Sequence, residues 1–153
     1  MNDLKICSYN AKYNKAFYKL NKSWIEEFWE LEKSDLNDLL NPKEAIIDRG
    51  GQIFFAVKKN IVIGTAAMIP FPNNKIELAK MTVLQNYRGK GVSKILMNSC
   101  INYAKINNNK EIFLISNSKL KKAKKLYINF GFVEVLLDSK KYIRGDYKMN
   151  LTL

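Results

Sequence analysis

The sequence predicts one mixed α/β domain: a mostly antiparallel sheet of six or seven strands, a parallel pair at its centre and helices on both faces. Three observations predict it. The chain has 153 residues, 47% of them hydrophobic, which suits one well-buried core and is short for two ordinary domains. The apolar period changes from helical to alternating at Gly50-Gly51. A helix-period stretch within residues 91–110 then separates two strand-like segments, 76–83 and 111–116. A β–α–β connection of that length makes its strands parallel neighbours.

The elements follow in order. Residues 4–9 form a short first strand. Tyr13, Phe17, Leu20, Trp24, Phe28 and Leu31 fall on one side of a 3.6-residue helix. Ser34 caps a second helix through Leu36, Leu39 and Leu40, which Asn41-Pro42 interrupts. A short piece covers 43–48, and the glycine pair then turns the chain. Residues 53–57, 61–69 and 76–83 are three strands of an antiparallel meander, with Lys59-Asn60 at the first hairpin tip. Val92, Ile95, Leu96, Ser99, Cys100 and Tyr103 mark a helix that begins near Gly91. After the buried strand 111–116, a helix spans 120–130 with Gly131 at its C-terminal cap. Strands at 132–137 and 147–153 complete the sheet.

Composition removes whole reaction classes. The chain has no histidine and two cysteines, Cys7 and Cys100, far apart in sequence. Ser-His-Asp and Cys-His catalysis, a four-cysteine zinc site and a CxxC redox pair are excluded, and no metal site is expected. Chemistry falls to Tyr, Glu, Asp, Lys, Ser, Thr or backbone amides. The net charge is +12, but arginine occurs only at positions 49, 88 and 144. Arginine is the usual residue for bidentate phosphate and base contacts, so the lysine excess reads as compositional bias and solvated faces, and no nucleic-acid partner is expected. No apolar run approaches 18 residues and the first fifteen are polar. The expectation is a soluble cytoplasmic domain without a membrane span.

The most informative segment is Arg88-Gly89-Lys90-Gly91-Val92-Ser93, where a strand ends, a glycine-rich turn follows and a helix starts. Glycines admit unusual torsions, and the free N–H groups of a first helical turn, aided by the helix dipole, point at an anion. Arg88 and Lys90 add positive charge. The expected ligand is a phosphate or pyrophosphate. Neither GxxxxGK[ST] nor GxGxxG is present.

The segment LAKMTVLQNYRGKGVSKILM resembles the acetyl-CoA binding block of the GNAT-superfamily N-acetyltransferases, Arg/Gln-x-x-Gly-x-Gly/Ala. Arg88, Gly91 and Ser93 occupy its defining positions, with serine replacing Gly/Ala. Downstream, Ala123, Leu126, Tyr127, Gly131 and Phe132 match a second block, A-x-x-L-Y-x-x-x-G-F. The resemblance covers roughly residues 50–150. It implies an acetyl-CoA-binding core at 50–153 and a variable substrate-side region at 1–49 within one domain.

The resemblance also implies the chemistry. An amine attacks the thioester of acetyl-CoA directly, so no protein nucleophile is needed. Fourth and fifth strands splay, and the fourth presents amides to the cofactor at Met81, Thr82 and Val83, one of them at the oxyanion. The cofactor site comprises those three residues, Arg88, Gly89, Lys90, Gly91, Val92, Ser93 and Asn117. Tyr127 is the proton donor to the leaving thiolate, and Glu77 the general base. Unbroken alternation puts Glu77 on the side of Ala79, Met81 and Val83, unless a bulge intervenes. By residue type alone, Tyr127 also reads as a core aromatic, Glu77 as a paired strand carboxylate and Asn117 as a cap. Trp24, Glu32 and Asp35 are acceptor-pocket candidates by position, although stripe and capping roles suit them too. The acceptor is a small-molecule amine or a protein lysine, and a homodimer is left open. Two further readings are an inactive acyl-CoA-binding module on the same fold and a basic nucleic-acid-binding domain.

Overall fold

A computed structural model describes residues 2–138 and 141–153. Seven strands form one sheet in the order β1-β2-β3-β4-β5-β7-β6: β1 Leu4–Cys7, β2 Gln52–Lys58, β3 Ile61–Phe71, β4 Lys75–Val83, β5 Glu111–Ser116, β6 Val133–Val135 and β7 Tyr147–Thr152. The helices are α1 Asn14–Glu26, α2 Lys33–Leu40, α3 Val92–Ile106 and α4 Lys121–Asn129. Every strand pair is antiparallel except β4 with β5, which α3 connects. The mixed sheet with a parallel pair is the predicted architecture.

Alternating side chains build two cores, one on each face. Ile53, Phe55, Val57, Ala67 and Ile69 pack with Phe17 and Leu39, under α1 and α2. Ala56, Ala66, Met68, Ile76, Leu78 and Leu114 pack with Val92, Leu96, Cys100 and Tyr127, under α3 and α4. Local chemistry sets the turns. Lys59 and Asn60 both take positive φ, 49° and 65°, as a two-residue hairpin turn requires. Gly131, at φ 96°, follows α4.

The N-terminal helices depart from expectation. α1 stops at Glu26, and its buried stripe is Phe17, Asn21 and Ile25. Phe28 lies beyond it and is exposed. Trp24 is only part-buried because it sits beside that stripe. Glu32, not Ser34, is the N-cap of α2, and Asp35 Oδ2 accepts from the Glu32 amide at 2.9 Å. The Ser34 hydroxyl instead donates to the Lys141 carbonyl. Residues Lys43–Ile47 form one π-helical turn.

Two features of β4 shape the site. First, it pairs with β5 only at Lys75–Glu111, Ile76–Ile112 and Glu77–Phe113. Beyond Glu77 no ladder joins the two strands among the described residues. Second, β4 carries a bulge. Thr65 of β3 faces Thr82 and Ala67 faces Ala79, so two β4 residues, Lys80 and Met81, stand opposite one. Lys80 takes φ 54° there.

Candidate functional site

The bulge corrects the expected facing of β4. Glu77, Ala79 and Lys80 lie toward α1 and α2, where Ala79 packs with Phe17 and Leu39 and Lys80 reaches Asp35. Met81 and Val83 pack on the opposite face with Leu96 and Tyr127. One inserted residue shifts the period by one and sends every later side chain to the other face.

The turn after β4 can present free backbone amides to an anion. Gly89 and Gly91 have φ 76° and 85°, and a Cβ at either would meet nothing within 4 Å. The glycines therefore serve backbone conformation and close approach rather than packing. Gly91 is the N-cap of α3, no side chain caps it, and no acid sits in the first turn. Arg88 Nε donates to the Val83 carbonyl at 2.8 Å, tying the turn to the end of β4. Lys58 and Lys90 each stand 5.7 Å from the Tyr87 ring centre, adding charge beside the turn.

At the same end of the parallel pair, a cleft opens between Trp24 and Trp29, Asn117 and Leu120, and Tyr142 and Arg144. The Trp24 indole donates to Asn21 Oδ1, Asn21 Nδ2 donates to Thr65 Oγ1, and Thr65 donates to the Lys80 carbonyl at 2.8 Å. A hydrogen-bond chain thus runs from the cleft wall to the bulge. Asn117 caps no helix. Its Oδ1 accepts from the Lys119 amide and its Nδ2 donates to the Arg144 carbonyl.

The acids expected in an acceptor pocket are engaged by protein cations. Asp35 is fully buried, with Lys80 Nζ 2.8 Å from Oδ1 and the Arg144 guanidinium on both its oxygens at 2.6 and 2.9 Å. Burial alone would raise its carboxyl, but the Arg144 hydrogen bonds and the Lys80 charge outweigh that and hold it at about 2. Burial pushes Lys80 below the ordinary lysine value, against the pull of Asp35. Glu32 accepts from the amides of Ile143 and Arg144 and from the Arg144 guanidinium. Neither acid lines the cleft; Trp24 does.

Glu77 is 3% exposed. Lys141 Nζ lies 3.1 Å from its Oε1 and also pairs with Asp38 at 3.0 Å. The Tyr142 hydroxyl donates to Oε2 at 3.2 Å. Tyr127 lies in the core that holds Leu78 and Val83 of β4 and Leu114 of β5, the flanks of the parting strands. Its ring stands 5.9 Å from that of Phe132, and burial pushes its phenol well above the ordinary value.

Sequence reasoning missed Lys80, Asp38, Lys141, Tyr142 and Arg144. A signal was present for three of them: Lys141-Tyr142-Ile143-Arg144 concentrates charge and an aromatic just before β7 without strand alternation.

The central parallel strands part beside an uncapped, glycine-built helix start. Residues 14–132 match the Acetyltransferase (GNAT) family. The chain belongs to that family. An acetyltransferase of the GNAT family from Staphylococcus aureus is 25% identical with TM-score 0.90, covering 97% of this chain and 98% of that one. The PaiA N-acetyltransferase of Thermoplasma acidophilum, in complex with coenzyme A, shares the fold at 15% identity and TM-score 0.76, over 98% and 99% of the two chains. An N-acetylaspartate synthetase from Xenopus tropicalis is 32% identical over 105 residues, 67% of this chain and 38% of that protein. N-acetyltransferase 8 from Rattus norvegicus is 23% identical over 104 residues, 65% of this chain and 46% of that protein. The chain therefore spans less than half the length of these two relatives. Among the described residues, no helix is long and apolar enough to cross a membrane.

Proposed function

We propose that this chain is an acetyl-CoA-dependent N-acetyltransferase acting on a primary amine by direct attack in a ternary complex. One juxtaposition carries the reading. The parted end of β4 and β5, the anion-binding start of α3 and the aromatic cleft all lie at one end of the parallel pair.

The residues fit the cosubstrate. The open space at Gly89 and Gly91 admits a pyrophosphate to the amides of Gly89, Lys90, Gly91, Val92 and Ser93. The Tyr147 hydroxyl is buried, on the strand paired to Ser116 at the end of β5. A peptide-like pantetheine arm supplies such a donor with an acceptor. Bound acetyl-CoA brings an activated thioester, so the chain needs only to position and to move protons. The unpaired edge of β4 offers one backbone amide in the stretch Met81 to Val83 to the acyl oxygen. Tyr127 keeps its proton at neutral pH and gives it to the departing sulfur. Glu77 receives the amine's proton, and Asn117 holds the β5 exit through Arg144. Trp24 walls the acceptor, while Glu32 and Asp35 act as positioning acids that fix Lys80 and Arg144.

The test is coenzyme A binding by calorimetry, with thiol release from acetyl-CoA over a panel of amino acids including aspartate, polyamines and lysine peptides. Micromolar binding with release for one amine class is expected. Binding without release for any amine identifies an inactive acyl-CoA module. Salt-steep DNA binding without coenzyme A binding identifies a nucleic-acid domain.

A further inference from the structure

Glu77 does not line the cleft, and both its oxygens are engaged. Tyr142 belongs to both neighbourhoods. Its side chain is 4% exposed and lines the cleft beside Trp24 and Arg144. Its hydroxyl donates to Glu77 Oε2 at 3.2 Å and accepts from Lys80 Nζ at 3.4 Å. A phenol oxygen has one proton to donate and two lone pairs that accept. Lys80 takes one lone pair, which leaves one for an incoming N–H.

We propose that Tyr142 carries the acceptor's proton from the cleft to Glu77, a proposal that rests on the acetyl-transfer reading. An N–H bond of the ammonium breaks and its proton joins Tyr142 Oη. The original phenolic proton passes to Glu77 Oε2 in the same step. The N–H electron pair stays on nitrogen as the lone pair that attacks the thioester. Tyr142 begins and ends neutral, and Glu77 ends as the acid.

The surroundings suit a relay rather than a store. Glu77 and Lys80 face the hydroxyl from β4, Asp35 and Asp38 flank it from α2, and Lys141 and Arg144 lie beside it in its own loop. Burial first, then the charges of Glu77, Asp38 and Asp35, push the phenol well above its ordinary value, so phenolate does not accumulate. Lys80, Arg144 and Lys141 stand 4.6, 4.7 and 5.4 Å from the ring centre and hold the ring by cation–π attraction.

Tyr142→Phe deletes the hydroxyl and keeps the ring. With an amine turned over by the wild type, kcat near neutral pH is expected to fall on the order of 10²-fold, with coenzyme A affinity unchanged. The deficit closes as pH approaches the amine's own pKa of ~10.4. In mixed H₂O/D₂O the wild type gives a curved proton inventory, from two protons in flight, and the variant a straight one. Should Tyr142→Phe fail to bind coenzyme A, 3-fluorotyrosine at position 142 keeps every contact and acidifies the phenol; a changed kcat and isotope effect supports the relay. An unaltered pH profile and isotope effect in either variant, with an active wild type, overturns the relay alone. A wild type that binds coenzyme A and releases no thiol overturns acetyl transfer and the relay together.

Discussion

Asp35 Oδ1 and Lys80 Nζ meet at 2.8 Å in full burial and join the start of α2 to the bulge of β4. The bulge residue has positive φ and a long cationic side chain, a costly combination on its own. Asp35 offsets that cost and also receives the Arg144 guanidinium. One carboxylate therefore fixes α2, the bulge of β4 and the loop that carries Tyr142.

Removing Asp35 leaves Lys80 buried without its carboxylate and deprives Arg144 of its bidentate partner. Asp35→Ala is expected to destabilise the fold by about 3–5 kcal/mol, the usual cost of stripping one partner from a buried pair. Urea denaturation of the two proteins measures it. A loss below about 1 kcal/mol removes Asp35 from the framework.

The same carboxyl predicts an acid limb of stability. Its folded value, about 2, lies below the ordinary 3.8, so the unfolded chain binds more protons between those values. The contribution is complete above the unfolded value and is lost as pH falls through about 2. The shift corresponds to on the order of 2 kcal/mol at neutral pH. Denaturation midpoints of the wild type should drop across this window, and Asp35→Asn should show a flatter profile there.

Gly91→Glu places bulk and negative charge at the uncapped start of α3. Coenzyme A affinity is expected to fall more than 10²-fold. The positive φ of 85° adds about 1–2 kcal/mol of backbone strain. Gly91→Ala carries the strain without the charge, so calorimetry on both variants separates the two effects. Equal affinity in a folded Gly91→Glu protein removes the pyrophosphate from this turn.

Tyr127→Phe deletes a hydroxyl and keeps the ring beside Phe132. If Tyr127 protonates the leaving sulfur, kcat falls about 10²–10⁴-fold with little change in the acetyl-CoA KM. Single-turnover kinetics check it. A wild-type rate with chemistry limiting makes Tyr127 a core aromatic only.

Glu77→Gln keeps the shape and removes the acceptor of the relayed proton. Its kcat/KM near pH 7 should fall while coenzyme A affinity holds, and the deficit should narrow at alkaline pH as free amine rises from on the order of one part in 10³. Parallel pH–rate profiles with equal plateaus exclude Glu77 as the base.

The sequence by itself determined the features whose physics is local. The hairpin tip at Lys59-Asn60, the glycine start of α3 and the glycine after α4 depend on the torsions of one or two residues, and the strand and helix periods show in neighbours a few positions apart. Tertiary structure alone decided the rest. The bulge at Lys80 turned Met81 and Val83 away from Glu77, against the alternation. Asp35 and Glu32 met Arg144, 109 and 112 positions away, and so became supports of the loop rather than walls of the cleft. Tyr142 reached Glu77 across 65 positions. A buried charge must find a partner of opposite sign or it is not buried at all, and which partner it finds depends on distance through the fold, which spacing along the chain does not encode.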